Sequence, residues 1–225
     1  MATVLSFRRS EDRRRMPQDQ EPCVFVVDDE EDVRDAISLL VSSVGLNAET
    51  YATARAFLEA CDGSRPGCVI LDVRLPGMNG LEAQRALRER GVQLPIIFIS
   101  GHGDIPMAVR AVQNGALDFL EKPFRDDALL DCVNRAIELD REARAQESAR
   151  QDIEAKLETL TPREVDVLER LIDGKVNKII ARELDVSTRT VEIHRARVLH
   201  KMGADNVSQL VRLTLSTERY RDRLR

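Results

Sequence analysis

From residue 22 onward the chain alternates between two kinds of apolar spacing. The runs "CVFVVDD", "AETYA", "CVILDV", "PIIFIS" and "ALDFLEK" read as strands. Strands buried on both faces show as short, continuous apolar stretches. Helix-period segments lie between them, around residues 31–44, 53–61, 79–90, 105–114 and 126–138. Strand alternating with helix predicts a parallel sheet with helices on both faces. Five such strands predict a flavodoxin-like α/β domain over residues 22–138, with sheet order 2-1-3-4-5.

Beyond residue 138 the pattern changes. "ELDREARAQESARQDIEAKLE" has few apolar positions and high helix propensity. It predicts an exposed helical linker, 139–156, continuing the fifth helix. At "TLTPREVDVLERLIDG", Thr161 can cap a helix, Pro162 suits its first turn, Glu164 completes a capping box and Gly174 ends it. "NKIIAREL", the turn "DVST", "RTVEIHRARVLHKM" and "NVSQLVRLTL", with Asp205 as cap, supply three more helices. A small all-α four-helix domain is predicted over residues 157–218, with 219–225 as a tail. Residues 1–21, polar and partly basic, predict a disordered arm.

Composition narrows the class. The 225 residues are 43% apolar and 32% charged, an ordinary soluble balance for one or two domains. The net charge of −5 does not announce nucleic acid, although a local basic surface remains open. No apolar run approaches the roughly 20 residues of a membrane span, and the N-terminus lacks a signal-peptide core. A cytoplasmic protein without a membrane partner is expected. Cys23, Cys61, Cys68 and Cys132 are scattered and form no CxxC, which suits core thiols in a reducing compartment.

In an open parallel sheet, ligands bind beyond the carboxyl ends of the strands. There the chain places Asp28 and Asp29 after strand 1, Asp72 after strand 3, Ser100 after strand 4 and Lys122, before Pro123, after strand 5. Acids also suit a first helical turn, which accounts for Glu30 and Glu31. It accounts less well for two Asp on a strand tip, where like charges repel. Asp29 and Asp72 can hold Mg²⁺ (or Mn²⁺) with a carbonyl and waters. Asp72 can act as a carboxylate nucleophile on a phosphoryl group, with Lys122 stabilising the transferring oxygens and Ser100 donating to the product. The Lys122–Pro123 bond is expected to be cis, to turn Lys122 back toward Asp72.

"VVDDEEDVRDA", "ILDVRLPGMNGLE", "IIFISGHGDIPMAVRA" and "GALDFLEKPF" together resemble the receiver domain of bacterial two-component response regulators. The resemblance implies that Asp72 is the phosphoacceptor, and that Asp29, Asp72 and the Arg74 carbonyl bind Mg²⁺, with Asp28 acting through water. It also implies Ser100 as the switch hydroxyl. Phe119 falls where many receivers carry a switch Tyr, so the packing is kept and a hydroxyl is lost.

In the third helix of the small domain, Val191, Val198 and Met202 share one face, the expected core side. Arg189, Glu192, Ile193, Ala196, Arg197 and His200 lie opposite. An exposed Ile among small, acidic and basic residues suits a major groove: apolar contacts read thymine methyls, Glu accepts from cytosine, and Arg binds guanine or phosphate. "GKVNKIIARELDVSTRTVEIHRARVLHKM" resembles the LuxR, or NarL-like, helix-turn-helix, about residues 177–196, and the whole chain resembles the FixJ subgroup. That resemblance also places Glu192, Ile193 and Ala196 at bases, puts Thr188 in the DNA-binding set, and gives Val207, Leu210 and Val211 to a dimerisation helix. Lys178 and Arg189 are expected at phosphates.

The leading expectation is a transcription factor phosphorylated on Asp72 by a sensor histidine kinase. It would dimerise when phosphorylated, bind promoter DNA and act with RNA polymerase, with the FixJ resemblance favouring activation. One alternative is an aspartyl-phosphate phosphatase. Such enzymes place a second Asp two residues after the nucleophile, where this chain has Arg74. Another is a constitutive DNA binder, which the intact acid cluster speaks against.

Overall fold

The computed structural model describes residues 21–101 and 105–221, with only the backbone at 105 and 106. All but Glu21 of the expected arm, and residues 222–225 of the expected tail, lie outside the described residues. The chain divides into two compact units, Met1–Arg144 and Ala145–Arg225.

In the first unit the order is β1 (Cys23–Val27), α1 (Glu31–Ser43), β2 (Asn47–Tyr51), α2 (Ala54–Ala60), β3 (Gly67–Asp72), α3 (Gly80–Glu89), β4 (Ile96–Ser100), α4 (Ile105–Gln113), β5 (Asp118–Glu121) and the start of α5 (Asp126–Glu158), which runs on into the second. The five strands are parallel, in the order β2-β1-β3-β4-β5. This is the flavodoxin-like arrangement that the strand–helix alternation predicts. β1, β3 and β4 are buried at every position, which is why their sequences are apolar without interruption.

Alternate residues feed opposite faces. Phe25, Val27, Val69, Leu71 and Phe98 pack with Phe57 of α2 and Leu87 of α3. Val24, Val26, Ile70, Ile97 and Ile99 pack with Ile37 and Val41 of α1 and with Leu129 and Val133 of α5. The edge strand β2 is half exposed. The register brings Val27 beside Leu71, Asp72 beside Ile99 and Ser100 beside Glu121, so the carboxyl ends align along one edge. The Lys122–Pro123 peptide is cis.

α5 continues well past the apolar face that packs on the sheet. Asp140 is buried and Arg144 is ion-paired to it at 2.7 Å, so the expected linker is anchored to the first unit at these two residues. In the second unit, Ile153 and Leu157 are buried in the helical core, so the end of α5 is also not a free spacer.

That second core is completed by α6 (Pro162–Ile172), α7 (Asn177–Leu184), α8 (Thr188–Met202), α9 (Val207–Leu215) and α10 (Glu218–Arg221). Thr161 and Glu164 form the expected capping box. α9 is capped by Asn206, not Asp205: the Asn206 side chain accepts from the Gln209 N–H at 2.9 Å. The expected tail also differs at its start, because Tyr220 of α10 is 2% exposed and joins the core. Among the described residues no helix is long and apolar enough to cross a membrane.

Candidate functional site

At the carboxyl edge of the sheet, Asp28 and Asp72 are buried and the Lys122 ammonium lies between them. Lys122 Nζ is 2.6 Å from Asp28 Oδ2, 3.5 Å from Asp72 Oδ1 and 3.3 Å from Glu30 Oε1. The Asp28 Oδ1 accepts from the Glu30 N–H at 2.9 Å, and Asp72 Oδ2 accepts from the Arg74 N–H at 2.8 Å. Ser100 is fully buried, and its carbonyl accepts from the Lys122 N–H at 2.8 Å, which ties β4 to the turn that aims the lysine. Phe119 is partly buried against the core on the Phe98 side of the sheet.

Not every expected member converges. Asp29 is exposed, and its side chain makes no hydrogen bond among the described residues. It lines a cavity of about 590 Å³ beside this edge, together with Arg74 and Asn79. Two residues without an assigned role in the sequence reading enter the site. Glu30 contacts Lys122, and Arg34 Nη1 donates to the carbonyls of Asp28 at 2.8 Å and Asp29 at 3.0 Å. Glu30 read only as a helix start, which it also is, as the residue preceding α1.

The electrostatics follow from burial. Desolvation lifts the Asp72 carboxyl above its ordinary pKa; Lys122 opposes this and the Asp28 charge adds to it. Burial works against the Lys122 ammonium, yet the hydrogen bond and charge of Asp28, followed by Asp72 and Glu30, hold its pKa above the usual value. The site thus carries more negative than positive charge and suits an added cation.

Among the described residues no three His, Cys, Asp or Glu close into a metal cage. Mg²⁺ does not require one, since it keeps several waters and binds through one or two carboxylates. Asp28, Asp29 and Asp72 offer only hard oxygen donors, which fit Mg²⁺ or Mn²⁺ rather than a thiolate-seeking metal.

In the second unit, α7 and α8 are joined by a tight turn in which Asp185 takes φ 53°. Ser187 caps α8 by accepting from the Thr190 N–H at 3.0 Å. Val191, Val198 and Met202 are buried, while Thr188, Arg189, Glu192, Ile193, Ala196, Arg197 and His200 are exposed. Ile193 is 46% exposed, unusual for an Ile on a packed helix. Lys178, also exposed, lines a cavity of about 530 Å³ with Lys175, Thr188 and Arg195. Arg195 Nη1 donates to Asn177 Oδ1 at 3.2 Å and so links α8 to the start of α7. Leu210 departs from its expected place at a dimer surface: it is fully buried in the core of its own unit. Val207 and Val211 are only partly buried.

Comparison with known proteins finds a family match for each of the two units. Residues 24–134 match the response regulator receiver domain, and residues 158–214 match the luxR family of bacterial regulatory proteins. The response regulator protein TmoT of Ectopseudomonas mendocina is 44% identical over 94% of this chain and 95% of its own. The transcriptional regulatory protein FixJ of Bradyrhizobium diazoefficiens is 44% identical over 85% of this chain and 94% of its own. The solved structure of the response regulator StyR superposes with a TM-score of 0.80 at 41% identity, covering 86% of this chain and 98% of that one. The phosphatase alternative is set aside, because the chain matches these regulators along both of its units. The chain belongs to the two-component response regulators, as a DNA-binding member built from a receiver domain and a LuxR-type helix-turn-helix domain, and it regulates transcription rather than turning over a substrate.

Proposed function

We propose that Asp72 is the phosphoacceptor and that its phosphorylation by a sensor histidine kinase controls promoter binding through α8. The observation that carries this reading is the buried Asp28–Lys122–Asp72 array at the carboxyl edge of a parallel sheet. The Asp72 carboxylate attacks the phosphorus, the bond to the kinase imidazole breaks, and Lys122 faces the oxygens that gain charge. Asp29, Asp72 and the Arg74 carbonyl would hold Mg²⁺, with Asp28 acting through water, and the bound ion would supply charge neutralisation at the phosphoryl group. Ser100 answers the new phosphate as the switch hydroxyl, and Phe119 reports it by packing.

The phosphorylated form dimerises, acts in the cytoplasm and recruits RNA polymerase as an activator. Val109 and Val112 stand exposed on α4, which supports a receiver contact on that face. In the second unit, Val207 and Val211 of α9 remain for a partner, while Leu210 serves the core. Glu192, Ile193 and Ala196 meet base edges; Lys178, Thr188, Arg189, Arg197 and His200 border them.

Incubation with Mg²⁺ and acetyl phosphate, read by intact mass, tests the acceptor. The wild type gains one phosphoryl group and Asp72→Asn gains none. An adduct on Asp72→Asn removes the assignment. Sedimentation with and without a phosphoryl mimic tests dimerisation; equal masses across a broad concentration range count against it.

A further inference from the structure

We propose that Arg34 is a positioning residue for the acidic loop, which it holds by its backbone so that Asp29 presents its carboxylate to the divalent cation. The inference rests on the reading of Asp29 and Asp72 as cation ligands.

The Asp28 and Asp29 carbonyls fall between two regular elements. The β1 ladder ends at Val27, and the loop's next bond to the sheet is a donation, from the Asp28 N–H to the Tyr51 carbonyl at 3.1 Å. The first backbone bond of α1 runs from the Arg34 N–H to the Glu30 carbonyl at 3.1 Å. Neither element serves the two carbonyls. The Arg34 side chain does, with one nitrogen donating to Asp28 at 2.8 Å and to Asp29 at 3.0 Å. The same residue thus starts the helix with its backbone and closes the loop with its guanidinium.

The consequence differs between the two acids. The Asp28 carboxylate is fixed independently, by the Glu30 N–H and by Lys122. The Asp29 carboxylate is exposed and has no such partner among the described residues, so its backbone alone sets where it points. Arg34 makes no ion pair among the described residues, so its place is not explained by a carboxylate of its own. Residues that orient metal ligands without touching the metal typically change affinity by about 10- to 100-fold. The sign discriminates mechanisms. If Arg34 acted only by its charge, its removal would tighten cation binding; if it positions the loop, removal weakens it.

Mn²⁺ titration of the full-length chain, followed by the electron paramagnetic resonance of free Mn²⁺, tests this without phosphorylation. Arg34→Met keeps the aliphatic stem and removes the donors; Asp29→Asn is the ligand control. Arg34→Met is expected to weaken Mn²⁺ about tenfold, with Arg34→Lys in between and the metal-free melting temperature near wild type. Equal binding by wild type and Asp29→Asn defeats the cation-site reading, and the inference with it. Loss in Asp29→Asn alongside wild-type or tighter binding in Arg34→Met overturns the Arg34 inference alone. Should Arg34→Met fail to fold, Arg34→Lys decides: clearly weakened binding upholds the inference and unchanged affinity overturns it.

Discussion

Oδ2 of Asp140, on α5, accepts a hydrogen bond from the backbone N–H of Gly67, the first residue of β3, at 2.9 Å. The bond is buried, and the same oxygen accepts from Arg144 Nε at 2.7 Å. The guanidinium of Arg144 also donates to the carbonyls of Gly63, Ser64 and Arg65 at 2.9–3.1 Å. Asp140→Ala would orphan a buried N–H and leave the Arg144 guanidinium with carbonyl acceptors but without its counter-charge. Breaking such a pair costs about 3–5 kcal/mol, and Asp140→Asn costs less. Hydrogen exchange should lose protection over residues 63–68 while α6–α9 keep theirs. Unchanged protection there would mean that the clamp is not structural.

This clamp also marks where the sequence becomes illegible. Asp140 and Arg144 are opposite charges four apart on a helix, the same spacing as any solvated pair. Only the loop at residues 63–65, far away in the chain, makes them structural. Asp28, Asp72, Ser100 and Lys122 were legible because a parallel sheet delivers its strand ends to one edge. Arg34 was not, since an arginine in the second turn of an amphipathic helix looks like surface. Tyr220 was missed because the four residues of α10 are too few to show a period. Asp205 and Asn206 are adjacent capping residue types, and only the geometry chooses between them.

Gly80 begins α3 directly behind β3, the strand that ends in Asp72. A Cβ there would lie 2.4 Å from the Asp72 carbonyl oxygen and 3.0 Å from the Phe98 ring. Gly80→Ala gains about 1 kcal/mol of helix propensity, whereas forcing a methyl into packed backbone costs about 1–3 kcal/mol. The contact is to a carbonyl, which cannot swing aside, so the clash should win. The variant is expected to melt lower and to label more slowly with acetyl phosphate. A stabilised variant with wild-type labelling would show that the α3 start yields freely.

Glu164 links acid stability to the helix-turn-helix unit. Its Oε2 accepts from Lys201 Nζ at 2.7 Å and from the Thr161 N–H at 2.9 Å, and these bonds, led by that to Lys201, lower its pKa to about 2. A depressed carboxylate contributes stability that is complete above its unfolded value near 4.5 and is lost as pH falls toward 2. Linkage caps the contribution at about 3 kcal/mol, and solvent screening at the partly exposed Lys201 brings the expectation to about 1–2 kcal/mol. Glu164→Gln should therefore lower stability at pH 7 and flatten the loss between pH 4.5 and 2. Parallel wild-type and variant melting curves across that window would exclude the linkage.

Sequence reading by α8 and electrostatic grip by α7 should be separable by mutation. Glu192 and Ile193 are exposed on the face opposite Val191 and Val198, and neither carries positive charge. Any affinity they add must come from base edges, so replacing either with Ala should change preference among sites by about 1–3 kcal/mol. Lys178 sits in the first turn of α7, exposed, at the rim of the cavity it shares with Thr188 and Arg195. On the proposed reading this lysine meets phosphate, whose contacts carry no sequence information. Lys178→Ala should weaken every duplex alike and reduce the salt slope by about one. Titrations on a cognate and a scrambled duplex, each at several salt concentrations, distinguish the behaviours. Equal losses on both duplexes for Glu192→Ala and Ile193→Ala would remove α8 from the major groove.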